Sequence, residues 1–189
     1  MDLGFITWNI RGLGKAEKLG AVSRLIKKVR PTIVFIQDSK LRDLTPAISR
    51  RLCCGNVYEC SFSPAIGASG GLISLWNPNA FMVSDKIIHR RFIALFGNWQ
   101  SGDSKTGLIN NYGPSTDSEK ADFFKELVEF MSNFDVNWCL GGDFNAFLCC
   151  EEKLGAGFNQ SAMEIFRKFI QETGLIDLPL KGGDLHVVE

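Results

Sequence analysis

Short apolar runs recur along the chain and are separated by polar or glycine-containing turns. Residues that favour β-structure, chiefly Val, Ile, Phe, Thr and Trp, are concentrated in these runs. The runs lie at residues 3–9, 32–37, 57–63, 70–76, 80–88, 91–99, 106–112 and 136–142. This pattern predicts eight β-strands.

Three further stretches repeat apolar residues with the 3.6-residue period of an amphipathic helix. Thr116 with Glu119 and Ser161 with Glu164 have the spacing of capping boxes, and they predict the starts of the second and third helices. A fourth, shorter helix is predicted at about 43–52. The periodic positions are Leu19, Val22, Leu25, Ile26 and Val29, then Phe124, Leu127, Val128 and Met131, then Ala162, Ile165, Phe166 and Phe169.

The order of the predicted elements is β-α-β-α, a run of strands, and then α-β-α. This order favours mixed sheets with helices on their outer faces over a simple parallel wound sheet. The 189 residues suit one domain with one sizeable core. The loop at 146–160 is long for a compact domain, so we expect a mobile surface element there.

Composition is that of an ordinary globular protein, with 45% hydrophobic and 22% charged residues. The sequence contains no apolar run of 18 residues and no signal-peptide pattern at its start, so we expect an intracellular protein, nuclear or cytoplasmic, without a membrane segment. Its six cysteines include no C-x-x-C pair. Reduced thiols are therefore expected, rather than a zinc site or a disulfide framework.

Charge is unevenly distributed although the net charge is zero. Residues 1–51 hold 11 Lys and Arg against 4 Asp and Glu, and the remainder holds 10 against 17. The basic third could contact phosphate backbones, but Lys18, Lys27 and Lys28 lie on a predicted amphipathic helix. We expect them to form a solvated helix face.

Polar side chains stand at the ends of three predicted strands. Asn9 ends the first, Asp38 the second, and Asp143 with Asn145 the last. If that last segment is extended, Asp143 and Asn145 point to the same face, and the preceding glycines permit close backbone approach. The alternative is a simple Asx turn.

Tyr112 ends another predicted strand, in the run Asn-Asn-Tyr-Gly-Pro at 110–114. A tyrosine hydroxyl in that position could donate a hydrogen bond to a phosphate oxygen. The competing interpretation is a packed ring whose hydroxyl faces water.

Taken together and in order, these motifs resemble the endonuclease/exonuclease/phosphatase superfamily, and especially the endonuclease domain of plant LINE-type non-LTR retrotransposons. The resemblance extends over nearly the whole chain. It is carried by WNIRGLG at 8–14, IQDSK at 36–40, SGGLISLWN at 69–77, RFIALFGNW at 91–99, NNYGP at 110–114, GGDFNAFL at 141–148 and FIQETGLIDLPLKGG at 169–183.

The resemblance implies an α/β (α+β) fold, a four-layer αββα sandwich of the deoxyribonuclease I-like type, over residues 1–189. It also implies hydrolysis of a phosphodiester in DNA by water, with a divalent metal, Mg²⁺ or Mn²⁺, and a monomeric protein. Asn9 and Asp38 take the metal-side positions. Tyr112 takes that of the phosphate-contacting residue, Asp143 that of the carboxylate that orients water, and Asn145 that of an amide that steadies the transition state.

Two departures from the family pattern bear on activity. Asp38 occupies the place of a metal-binding Glu and is one methylene shorter, whereas Mg²⁺ requires near-ideal geometry. The family also keeps an Asp and an Asp-His pair after its last helix, and this chain ends at Glu189 before such a segment. Neither His89 nor His186 lies in a matching motif. We therefore expect a C-terminally truncated domain that lacks its last strands.

Three functional hypotheses remain open from the sequence. The first is a metal-dependent DNA endonuclease, which we expect to be very weak or inactive as encoded. The second is a non-catalytic remnant of a retrotransposon reading frame. The third is a phosphatase of a small phosphoester.

Overall fold

The computed structural model describes residues 4–55, 57–146 and 160–178, and these contain eight strands and four helices. The predicted number, type and order of the elements are confirmed within these ranges. The elements are β1 (Phe5–Asn9), α1 (Ala16–Val29), β2 (Ile33–Gln37), α2 (Pro46–Leu52), β3 (Glu59–Ile66), β4 (Ser69–Trp76), β5 (Phe81–Ile88), β6 (Phe92–Trp99), β7 (Lys105–Tyr112), α3 (Asp117–Ser132), β8 (Asn137–Asp143) and α4 (Gln160–Thr173).

The strands form two mixed four-stranded sheets. The first has the order β1-β2-β4-β3, and the second has the order β5-β6-β7-β8. The pairs β1–β2 and β7–β8 are parallel, whereas the other neighbours are antiparallel. Each sheet therefore has one parallel pair of strands at an edge. Asn9, Tyr112 and Asp143 end strands of these pairs, and Asp38 directly follows β2.

Alternating side chains of the strands divide the protein into four layers. In β2, Ile33 and Phe35 face the other sheet, whereas Val34 and Ile36 face α1 and α2. The outer face of the second sheet is covered by α3 and α4 through a phenylalanine-rich cluster. Because strand side chains alternate with a period of two, one buried strand serves two cores. The predicted αββα sandwich of the deoxyribonuclease I-like type is confirmed.

A buried pair of amides joins the two sheets between these apolar layers. Gln37 Nε2 donates to Asn110 Oδ1 over 2.7 Å. Asn110 Nδ2 donates to the carbonyl of Ile73 at 3.0 Å and to Ser74 Oγ at 3.2 Å. Both amide side chains are almost fully inaccessible to water. Such a satisfied polar network favours one relative position of the sheets, because any shift leaves buried groups unpaired.

Helix α3 begins where the capping-box spacing predicts, with Thr116 as its N-cap residue, but the predicted capping bond from the Thr116 side chain does not form. The Thr116 hydroxyl donates to Glu119 Oε2 at 2.5 Å instead of capping a backbone N–H. Glu119 also pairs with Arg91, 3.3 Å away, and this pull on the carboxylate competes with the reciprocal capping bond. At the third predicted helix, α4 begins at Gln160, so Ser161 lies inside it.

The basic face of α1 is only partly as expected. Lys27 and Lys28 are exposed, as predicted for a solvated face. Lys18 instead turns back, and its Nζ donates to the carbonyls of Ile10 at 2.9 Å and Arg11 at 3.2 Å. This lysine therefore ties the start of α1 to the loop that follows β1.

No helix in the described ranges is long and apolar enough to cross a membrane. The predicted mobile loop at 146–160 lies almost entirely outside the described residues. His186 also lies outside them.

We expect Asn110→Ala to lower the free energy of unfolding by about 2 to 4 kcal/mol, because it leaves several buried polar groups without partners. Urea denaturation of the purified protein measures this change. Asn79→Ala is the control, since Asn79 is exposed in a turn, and it should change stability by less than about 0.5 kcal/mol. Equal effects of the two substitutions would show that the amide pair does not hold the sheets together.

Candidate active site

The ends of β1, β7 and β8 bring three of the predicted residues together. In the parallel pairing of β7 with β8, Tyr112 lies opposite Asp143. Asn9, the last residue of β1, donates from its Nδ2 to Asp143 Oδ2. Because β1 belongs to the first sheet and β8 to the second, this hydrogen bond joins the two sheets at their common end.

Both carboxylate oxygens of Asp143 accept hydrogen bonds. Asn9 serves Oδ2, and the backbone N–H of Asn145 donates to Oδ1 over 2.9 Å. A carboxylate has about four acceptor positions, so lone pairs remain for water or a cation. The approach of β7 to β8 here requires glycine: Gly142 has φ 144°, and a Cβ atom at that position would lie 2.1 Å from the carbonyl oxygen of Asn111.

Asn145 is not placed as the extended-segment prediction had it. Strand β8 ends at Asp143, and Asn145 has φ 50° in the left-handed region. Its backbone N–H bonds to the Asp143 side chain, while its Nδ2 donates to the carbonyl of Gly113 at 2.8 Å. The segment is thus an Asx turn, because the short aspartate side chain captures the N–H two residues ahead. The turn keeps Asn145 beside Asp143 without placing both on one strand face.

Asp38 lies just beyond the end of β2, with φ 51° and a buried side chain. Its Oδ1 accepts the backbone N–H of Gly70 at 2.8 Å, and its Oδ2 lies 3.7 Å from Lys40 Nζ. The carboxylate is therefore held back against the β3–β4 turn. Lys40 is 47% exposed, so this ion pair is open to solvent on one side.

The pKa of Tyr112 is raised by surroundings that include both carboxylates. Burial is the largest cause that raises the Tyr112 pKa, followed by the negative charges of Asp38 and then of Asp143. A phenol has an ordinary pKa of about 10 and is protonated at neutral pH, and the raised pKa of Tyr112 extends this to more alkaline conditions. Tyr112 is therefore a hydrogen-bond donor beside two acidic side chains.

Two arginines outside the five predicted site residues also affect the pKa of Tyr112. The positive charges of Arg11 and Arg91 both lower the Tyr112 pKa, against the larger effects of burial and the carboxylates. Arg91 is only 19% exposed and pairs with Glu119. Arg11 stands inside the WNIRGLG motif, which could have identified it. No comparable signal in the sequence marks Arg91.

The loops around the site have unusual backbone conformations. Of the six described non-glycine residues with positive φ, four lie here: Arg11, Asp38, Lys40 and Asn145. Such conformations cost about 1 to 3 kcal/mol each and persist only where surrounding contacts hold them. Backbone bonds from Gly12 N–H to the Asp38 carbonyl at 2.7 Å, and from Lys40 N–H to the Gly70 carbonyl at 2.9 Å, supply such contacts.

The oxygen-rich side chains of the site suit a hard divalent cation. Asp38 and Asp143 each keep free lone pairs, and Mg²⁺ in proteins is commonly bound by one or two carboxylates together with water and substrate phosphate. Within the ranges described here, no group of three or more His, Cys, Asp or Glu is placed to hold a metal. The fit is therefore to a sparse, water-rich site rather than to a closed structural one.

His89 contacts Phe92, Glu126 and the backbone of Arg91, whose N–H donates to His89 Nδ1 at 3.5 Å. Its ring packs against Phe92 with centroids 4.8 Å apart, and its Nε2 lies 3.6 Å from Glu126. It is half-buried rather than fully on the surface, and burial lowers its pKa.

We expect Asp38→Asn and Asp143→Asn each to lower the pKa of Tyr112, because each removes a negative charge that opposes ionisation of the phenol. Ultraviolet titration of the phenols measures this pKa, and Tyr112→Phe identifies which of the two tyrosine transitions belongs to Tyr112. Asp135→Asn, at an exposed position on the chain, is the control and should leave the titration unchanged. If none of these variants moves the Tyr112 transition, the carboxylates are not close to it.

Similar folds occur among solved structures of DNA-processing enzymes. An AP endonuclease from Leishmania major superposes with a TM-score of 0.70 at 16% identity, over 89% of this chain and 66% of that chain. A 3′ phosphatase from Neisseria bound to a product DNA hairpin gives 0.67 at 19% identity, over 88% and 70%. Truncated TDP2 from Caenorhabditis elegans gives 0.57 at 26% identity, over 82% and 68%.

Among curated proteins, the transposon TX1 uncharacterized 149 kDa protein of Xenopus laevis is 23% identical over 183 residues. The match covers 94% of this chain, and the chain spans 14% of that relative's length. Residues 6–163 match the Endonuclease/Exonuclease/phosphatase family. That match includes the ends of β1, β2, β7 and β8 with all five predicted site residues, and the chain belongs to this family.

Proposed function

We propose that the chain is a divalent-metal-dependent phosphodiester hydrolase that acts on DNA, with slow turnover. One observation carries the proposal. The register of β7 and β8 sets Tyr112 opposite Asp143, and the charge of the Asp38 carboxylate raises the pKa of the same phenol. A protonated hydroxyl beside two carboxylates can contact a phosphate, hold a hard cation and orient water within one site.

The divalent cation, Mg²⁺ or Mn²⁺, would be held by Asp38, with the amide oxygen of Asn9 as a further oxygen ligand. When bound, it neutralises negative charge that develops on the phosphate oxygens. Asn9 at present donates from its Nδ2 to Asp143, while its Oδ1 accepts the backbone N–H of Arg11 at 3.3 Å. The amide is thus already fixed in position at the end of β1.

Asp143 is the proposed acceptor of the proton from the attacking water. Its two existing hydrogen bonds, from Asn9 and from the Asn145 backbone, fix the plane of the carboxylate. A carboxylate fixed in this way orients water without the entropy loss of ordering a free side chain. Asn145, anchored on the Gly113 carbonyl, would steady the phosphate through its amide.

Tyr112 is the proposed donor to a non-bridging phosphate oxygen. A phenol carries at neutral pH the proton that this hydrogen bond needs. Arg11 and Arg91 place positive charge around the same hydroxyl, where it would favour an anionic phosphate. DNA is the proposed substrate because the similar folds include an AP endonuclease and a 3′ phosphatase bound to a product DNA hairpin.

Slow turnover follows from the position of Asp38. Its carboxylate is short, accepts the Gly70 N–H and pairs with Lys40. These contacts hold the carboxylate close to the backbone. The positive charge of Lys40 also weakens the attraction of the carboxylate for an incoming cation. We extend the proposal to a monomeric protein of nuclear or cytoplasmic location and of transposon origin, the last supported by the Xenopus relative. A plant LINE-type origin is proposed from the motifs alone.

With Mg²⁺ present, we expect the protein to nick supercoiled plasmid slowly, and Asp143→Ala to reduce the rate by about 10² to 10⁴-fold. Gel analysis of plasmid conformers measures the rate, with EDTA as the metal-free arm and Asp135→Ala as the matched variant that should retain activity. A non-catalytic remnant would show no nicking above Asp143→Ala. A small-phosphoester phosphatase would release inorganic phosphate while leaving duplex DNA intact.

We also expect Asp38→Glu to tighten Mg²⁺ binding, because the longer side chain reaches past the Gly70 contact. The readout is the Mg²⁺ concentration above which Tm begins to rise, which should fall by about tenfold, equivalent to about 1.4 kcal/mol of binding free energy. Asp38→Asn should abolish the dependence of Tm on Mg²⁺. If all three proteins respond alike, Asp38 is not a metal ligand.

A further inference from the structure

A pair of cysteines lies outside the candidate active site, where the C-terminus of α2 meets β3. Cys53 is the residue that ends α2, and Cys60 is the second residue of β3. Both belong to the apolar layer between the first sheet and its covering helices. A cavity of about 400 Å³, lined by both cysteines and by Ser49, Arg50 and Lys86, opens beside them.

One hydroxyl bridges the two thiols. Ser49 Oγ lies 3.9 Å from Cys53 Sγ and 3.6 Å from Cys60 Sγ. The residues differ in access: Cys53 is 5% exposed, whereas Cys60 is half-buried and lines the cavity. Both cysteines line the cavity, and Cys60 is the more exposed of the two.

The surroundings shift the pKa values of the two thiols in opposite directions. The hydrogen bond from Cys53 is the largest cause that lowers the pKa of Cys60, to about 6, and Ser49 and the positive charge of Lys86 act in the same direction against burial. The same interaction raises the pKa of Cys53. Burial raises the pKa of Cys54 and of Cys139. These shifts favour the thiolate form on Cys60 and the protonated thiol on Cys53.

We propose that Cys60 and Cys53 form a reversible thiol–disulfide pair, in which the accessible Cys60 reacts with oxidised low-molecular-weight disulfides and Cys53 resolves the product. The bridging Ser49 hydroxyl and the cavity carry this assignment. It does not depend on the proposed hydrolase activity, because none of these residues takes part in that site.

The chemistry balances with one small disulfide, such as oxidised glutathione. The Cys60 thiolate attacks one sulfur, the small disulfide bond breaks, and one small thiolate leaves. Cys53 then gives its proton to solvent and attacks the Cys60 sulfur, which forms the Cys53–Cys60 bond and releases the second small thiolate. Two protein thiols are oxidised, and one small disulfide is reduced to two thiols.

The first test is the rate at which each cysteine of the whole protein is alkylated by iodoacetamide at pH 7. Peptide mapping by mass spectrometry follows each site separately. Cys60 should react about tenfold faster than Cys54 or Cys139, because the thiolate is the reacting form. Urea should remove this advantage, since it depends on the folded surroundings. A Cys60 that reacts no faster than Cys139 in the folded protein overturns the proposal.

The second test is treatment with oxidised glutathione, followed by alkylation of the remaining thiols and cleavage after Glu59. That cleavage separates Cys60 from Cys53, so a disulfide between them appears as a cross-linked peptide that dithiothreitol releases. The Cys54→Ser variant should keep this product, and Cys60→Ser should lose it. A bond to Cys54, or a Cys60 that stops at the mixed disulfide with glutathione, contradicts the assignment of Cys53 as its partner.

Discussion

The buried hydrogen bond from Gln37 to Asn110 is the constraint on which the candidate site depends. It is 2.7 Å long and crosses the interface between the two sheets. Gln37 immediately precedes Asp38, and Asn110 precedes Tyr112 by two residues on β7. Because both amides are buried and paired, sliding one sheet by a residue would leave polar groups unsatisfied in an apolar core. The bond therefore fixes the distance at which the end of β2 faces the end of β7.

At that end of the sandwich, the local backbone is held in conformations that extended strands do not adopt. Arg11, Asp38 and Asn145 all have positive φ, and each lies one or two residues after the end of a strand. These turns redirect side chains towards the space beside Tyr112, and the hydrogen bonds between neighbouring loops maintain them. The strained turns cost stability but fix the positions of the charged groups. Such preorganisation is common at sites that bind a ligand.

The sequence predicted the strands and helices well because each carries its own apolar pattern, whereas the four-layer sandwich was implied by the resemblance to the family. It also predicted polar residues at the ends of strands, and the structure brings Asn9, Tyr112 and Asp143 together there. The details beyond the strand ends were less accessible: Asn145 was placed by extrapolating β8, whereas its N–H is captured by Asp143. Lys18 and Arg91 were missed because their roles depend on loops from distant parts of the chain. Periodicity reports burial, but it does not report which turn a long side chain will reach.

The most direct measurement is the broadening of NMR signals when Mn²⁺ is titrated into isotopically labelled protein. Paramagnetic broadening falls steeply with distance, so it locates the cation without requiring turnover. Our expectation is that the signals of the Asn9 side-chain amide, Gly70, Tyr112 and Asn145 broaden first, while that of Gly107, near the far end of β7, is unaffected. Broadening that is uniform, or that centres on residues away from the ends of β1, β2 and β8, would contradict it.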